Sequence, residues 1–243
     1  MARIAEHIIE EEANSLRERF SLGDRLPVDI EGLLIKQGIL TVFTKMSPDF
    51  SGMCLRYNSD TNFILINSDI VLGRQNFTIA HELYHLFVQD DNDFKVHSCE
   101  IVDPKSAIER HANTFASFFL LPQDGVVEVM RRIECTKKTI NAAHIIMMCD
   151  YFGVSYKAML VRVNKILGMS PERFNYLNNV QPIQAANEFS LNTEVFEKPK
   201  VKEKVIGDYS SKAQALYESG LISKGHLIEL LDVIKIGGDE QQG

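Results

Sequence analysis

The sequence predicts an α+β fold: a small antiparallel sheet packed on a helix, followed by a largely helical second half. Three observations predict it. Between positions 39 and 68 lie three short β-type runs, ILTVFTKM, MCLRYN and FILINS, separated by the turn formers SPDFSG and SDTN. From Asn76 onward, apolar residues recur at helical spacing in one segment after another. The 243 residues are 45% hydrophobic and 24% charged, a globular balance that excludes a disordered chain.

Each element follows from its residues. Ile4, Ile8, Leu16 and Phe20 recur near a 3.6-residue period and predict a first amphipathic helix. Pro27 opens a short second helix that Gly38 can end. The three β-type runs are too close together for helical crossovers, so an antiparallel meander is expected. Ile79, Leu83, Leu86 and Phe87 then form an apolar stripe through NFTIAHELYHLFV. QDDNDFKVHSCE reads as a polar loop, and Asp103 before Pro104 as the cap of a helix running through SAIERHANTFASFFLL to Pro122. Further helices are predicted at GVVEVMRRIE, INAAHIIMMCDYF and YKAMLVRVNKIL. These readings divide the chain into a main domain (1–178), a linker or loosely packed extension (179–207), a helical hairpin about Gly220 (208–236) and a disordered tail (237–243).

Charge and cysteine usage narrow the function classes. Lys plus Arg is 26 and Asp plus Glu is 33, a net of −7 that argues against a protein coating nucleic acid with its whole surface. Cys54, Cys99, Cys135 and Cys149 form no C-x-x-C pair, and read as reduced, mostly buried thiols. The opening MARIAEHIIEEEANSL does not read as a secretory signal, and no run of 18 apolar residues occurs. The expected setting is soluble and cytoplasmic, with no membrane partner.

His81-Glu82-Leu83-Tyr84-His85 is an H-E-x-x-H sequence inside a predicted helix. Residues four apart on a helix are neighbours on one face, so His81 and His85 can both give a ring nitrogen to one Zn2+. Glu82 stands beside the metal rather than on it, where a general base for water would act. Tyr84 should turn away from the metal and pack. A catalytic zinc takes three protein ligands and keeps one position open. Candidates for the third are His97, Glu100, Asp103, Glu109 and His111. Glu109 is chosen: it lies on a predicted helix, far enough downstream for the chain to return, with Asn113 one turn on to hold the free ring N–H of a ligand histidine. His111 points about 160° around the helix from Asn113 and is set aside as solvated or locally hydrogen-bonded.

The segments TIAHELYHLF and IERHANTFASFFLLP resemble the ImmA/IrrE family of metallopeptidases. There a similar H-E-x-x-H helix precedes an E-x-x-A-N-x-F-A pattern that ends in L-x-P. The resemblance spans about residues 1–177 and is carried by the two motifs. It implies a zincin-like catalytic domain with Glu109 as third zinc ligand, and as substrate a helix-turn-helix repressor of a mobile element, phage or stress regulon. His111 stands where the family carries an acidic or amide residue, which leaves the ligand set intact but makes His111 an alternative to it. A competing reading is a non-proteolytic regulatory or DNA-binding protein that acts through Cys149–Leu167, whose helix, G-V-S turn and helix have a helix-turn-helix texture. Lys137, Lys138, Lys157, Arg162 and Lys165 give that region a basic balance, but Val154, Met159, Leu160 and Val163 read as core rather than as a groove-reading surface.

Overall fold

The structure is a computed structural model that describes residues 6–56, 61–89, 96–100, 106–200 and 203–235. Helix α1 spans Glu6–Arg19, and its buried stripe is Ile9, Ala13, Leu16 and Phe20. Ile8, expected in that stripe, is 42% exposed: it lies to one side of the face on which Ile9, Ala13, Leu16 and Phe20 are buried. Arg17 is buried there instead. Its guanidinium donates to the carbonyls of Gly23, Leu26 and Phe119 and so binds α1 to two other segments. Helix α2 (Ile30–Lys36) is capped by Asp29, and Gly38, one residue past its C-cap, takes the left-handed conformation at φ +64°.

The sheet has five strands in the order β4-β2-β3-β1-β5: β1 Leu40–Thr44, β2 Phe50–Arg56, β3 Asn62–Asn67, β4 Val96–Glu100 and β5 Lys204–Ile206. It is mixed rather than a purely antiparallel meander. β2 runs antiparallel to β3 and β4, but β1 pairs in parallel with β3, Val42 opposite Leu65. The chain leaves β1, skips one strand position to lay down β2, and returns to fill the gap with β3. The buried Asn67 at the end of β3 makes this possible. Its amide donates to Ser47 O and Phe50 O, and its Oδ1 accepts from Met46 N and Asp69 N, which satisfies the connection that passes over the strand. The polar stretch read as a loop after Gln89 contains β4. The proposed Asp103–Pro104 cap lies outside the described residues.

Helix α3 (Leu72–Phe87) carries the H-E-x-x-H motif and lies on β2 and β3. Ile79, Leu83 and Leu86 are buried as predicted. Gly52 on β2 allows the close approach: a Cβ there would stand 2.7 Å from Thr78 Cγ2 and 2.8 Å from Leu65 O. Helix α4 (Ala107–Leu120) crosses α3 and α1 through Ala112, Phe115, Ala116 and Phe119, all fully buried.

The remaining helices are α5 (Gln123–Arg132), α6 (Ala142–Phe152), α7 (Tyr156–Leu167), α8 (Pro171–Asn178), α9 (Pro182–Glu188), α10 (Tyr209–Glu218) and α11 (Lys224–Lys235). Helices α6 and α7, with the turn at Gly153, form the helix-turn-helix texture noted above. Val154, Met159, Leu160 and Val163 are all 0% exposed. Arg162 is buried and bonded to Leu121 O and Glu10, and Lys165 pairs with Glu6. The turn packs on the start of α3, where a Cβ at Gly73 would stand 2.7 Å from Ser155 N. Residues 179–207 read as a linker from their polarity, yet they carry α9, a 3-10 turn at Glu194–Phe196 and β5, with Ala186, Val195, Phe196 and Ile206 buried. The hairpin about Gly220 is α10 and α11; the tail 237–243 lies outside the described residues. No helix among the described residues is long and apolar enough to cross a membrane.

Candidate metal centre

Helix α3 puts His81, Glu82 and His85 in the interior at 1%, 0% and 5% exposure. Helix α4 supplies the facing residues. Ser106 caps it by accepting from Glu109 N at 3.0 Å, which fixes Glu109 in the first turn at the positive end of the helix. Asn113 follows one turn later.

The predicted residues come together. His81 Nε2 lies 3.0 Å from Glu109 Oε2, His85 Nε2 lies 3.5 Å from Glu109 Oε1, and the two Nε2 atoms are 3.1 Å apart. His81 Nδ1 lies 3.0 Å from Asn113 Oδ1. An amide oxygen can only accept, so this Nδ1 donates, and in the neutral ring Nε2 is then a lone pair. His85 Nδ1 is held the same way, 2.5 Å from Gln89 Oε1. With both rings neutral and held in this way, two imidazole lone pairs and a carboxylate converge. Such a set repels itself unless a cation sits among it. Donors about 2.0–2.1 Å from a tetrahedral zinc stand about 3.3 Å apart, and the three observed separations bracket that figure. His81, His85 and Glu109 therefore form a group that could hold a metal ion.

Glu82 sits beside this group with no N–H or O–H donor on either carboxylate oxygen among the described residues; the Cys54 thiol is the weak donor that faces it. Burial pushes its carboxyl up to about 7, against the pull of His81 and of the Cys54 thiol facing it from β2, with Glu109 adding to the rise. The same burial, with Glu82 alongside, raises Cys54 and keeps it a neutral thiol.

Tyr84 turns away as expected, packing at 4.8 Å against the His111 ring and at 5.4 Å against Phe115. His111 is no part of the metal group. It is buried rather than solvated, and its Nε2 meets Glu12 of α1 at 2.5 Å, a partner distant in sequence rather than local. The backbones of His97 and Glu100 lie on β4, opposite Cys54 and Phe50; Asp103 lies outside the described residues. Gln89 is the site residue that sequence reasoning missed. Its only signal is the spacing of four from His85, which many exposed residues share.

A motif-bearing helix on a small mixed sheet, completed by a glutamate from the next helix, is the arrangement of a metallopeptidase. The chain belongs to the family described as the IrrE N-terminal-like domain, a peptidase family that it matches over residues 36–164. That match is narrower than the span of the motif resemblance, and leaves α1, all of α2 but Lys36, and everything after Asn164 outside it. No curated protein matches the chain.

Proposed function

We propose that this chain is a zinc-dependent endopeptidase whose substrate is a helix-turn-helix repressor. The observation that carries the reading is the convergence of three metal-donor side chains beside a buried glutamate that only a thiol faces among the described residues. Two histidines and one glutamate are the donor set of a catalytic zinc site, with the fourth position left to water or substrate, whereas structural sites favour four protein ligands, often cysteine.

In this reading His81, His85 and Glu109 hold the ion, and Asn113 fixes the His81 ring. When bound, zinc supplies Lewis acidity that polarises the scissile carbonyl and lowers the pKa of nearby water. Glu82 takes a proton from the attacking water as the C–O bond forms. It then passes that proton to the amine nitrogen as the C–N bond breaks. With only the weakly donating Cys54 thiol beside it among the described residues, the carboxylate is left free for both transfers.

The substrate class rests on the family resemblance. The test is to incubate the purified chain, loaded with zinc, with the helix-turn-helix repressor encoded nearest to it. Cleavage by the wild type and none by Glu82→Gln is the expected result. An intact repressor with both, at full zinc occupancy, would reject the substrate assignment, and cleavage by both would reject the role of Glu82. The competing DNA-binding reading finds no support at α7, whose midsection is spent on core contacts and on Glu10.

A further inference from the structure

Helix α3 ends two residues after its second histidine. Past Phe87, the backbone N–H groups of Val88 and Gln89 both turn back to Tyr84 O, each at 2.9 Å. This tight finish folds the half-buried Gln89 side chain back along the helix, and its Oε1 reaches His85 Nδ1. The two histidines are therefore held in matching ways from different sources, His81 by an amide on another helix and His85 by an amide at the end of its own.

We propose that Gln89 is a positioning residue for His85, a role that rests on the metal-centre reading above. It keeps the ring in the Nδ1–H form and aims the Nε2 lone pair at the space shared with His81 Nε2 and Glu109. Without this acceptor the ring can turn, or take the Nε2–H tautomer, which has no lone pair to offer a cation at that nitrogen. Gln89 is also uncharged. It orients the imidazole without adding a third acidic group to a centre that already contains Glu109 and Glu82. The second residue beyond the helix thus sets the aim of a ligand inside it.

The experiment compares Gln89→Leu, which keeps the bulk and removes the acceptor, with Gln89→Glu, which keeps an acceptor oxygen. Zinc affinity is measured by competition with a chromophoric chelator. Alongside it, 15N NMR of the metal-free protein reads the His85 tautomer. Gln89→Leu should lose roughly 10- to 100-fold in zinc affinity, the range typical for partners of metal-ligating histidines, and should lose the pure Nδ1–H signature. Gln89→Glu should stay close to the wild type in both. A merely structural role would instead lower the melting temperature of metal-free Gln89→Leu and leave the tautomer unchanged. If the wild type binds one zinc, His85→Ala loses it, and Gln89→Leu binds as tightly as the wild type, the role of Gln89 is overturned while the metal centre stands. A wild type that takes up no zinc overturns the metal centre itself, and this role with it. Should Gln89→Leu fail to fold, wild-type protein with His85 in the Nε2–H form overturns the role unaided.

Discussion

At the scale of single residues, the metal centre separates into side chains that must go together and side chains that can be removed alone. Glu82→Gln should retain zinc, since the residue touches none of the converging donor atoms, yet lose roughly 100- to 10,000-fold in peptide hydrolysis, the usual weight of a general base. Metal analysis of the purified variant beside a cleavage assay reads both. His111→Ala makes the opposite prediction. The ring supports Tyr84 and meets Glu12 rather than the metal group, so zinc content should be unchanged while denaturant unfolding shows a loss of about 1–3 kcal/mol. The convergence of His81 and His85 was legible because a spacing of four puts them on one face, and Glu82 because the next position stands beside it. Glu109 and Asn113 were legible because they repeat that logic on a second helix. Gln89 was not, since a partner for a ring N–H can come from almost any polar residue, and only the path of the chain past Phe87 singles one out. The fate of His111 was hidden for a similar reason. Its partner Glu12 is 99 residues away in sequence.

At the scale of elements, close approach matters more than composition. Gly73→Ala would set a methyl against the backbone of the α6–α7 turn. Neither segment can yield easily, so a loss of about 1–3 kcal/mol is expected in chemical denaturation. Arg17 is the polar exception on an apolar helix face. Arg17→Met would strip donors from three carbonyls and should cost about 3 kcal/mol or more. Arg17→Lys should recover little, because an ammonium cannot span the same fork. Helix existence was readable from apolar spacing for most of the chain, but not for α8 and α9, which are short and largely polar. Strand order was not: the parallel placement of β3 against β1 depends on the Asn67 amide network over the β1–β2 connection, which no pattern of hydrophobicity encodes. Nor was β4. Val96–Glu100 is polar by composition, and its pairing with β2 makes it a strand.

At the scale of the whole molecule, a metal bound only by the folded chain should stabilise it. With zinc at about 1,000 times its dissociation constant the gain is roughly 4 kcal/mol, which corresponds to a rise of about 8–16 °C in Tm for a chain of this size. Scanning calorimetry with and without a chelator checks this, and an unchanged Tm in zinc would count against the centre. Residues 179–207 were misread at this scale because their few apolar side chains, Val195 and Phe196 among them, are isolated in sequence and find their neighbours only in three dimensions.

The family match stops at residue 164, but β5, forty residues later, lies alongside β1 as the last strand of the sheet. Anyone trimming the chain to its recognised boundaries would strip β1 of its outer neighbour and leave an open strand edge, a template on which other molecules can build. Such a fragment should form aggregates, visible by light scattering, at concentrations where the intact protein stays dispersed.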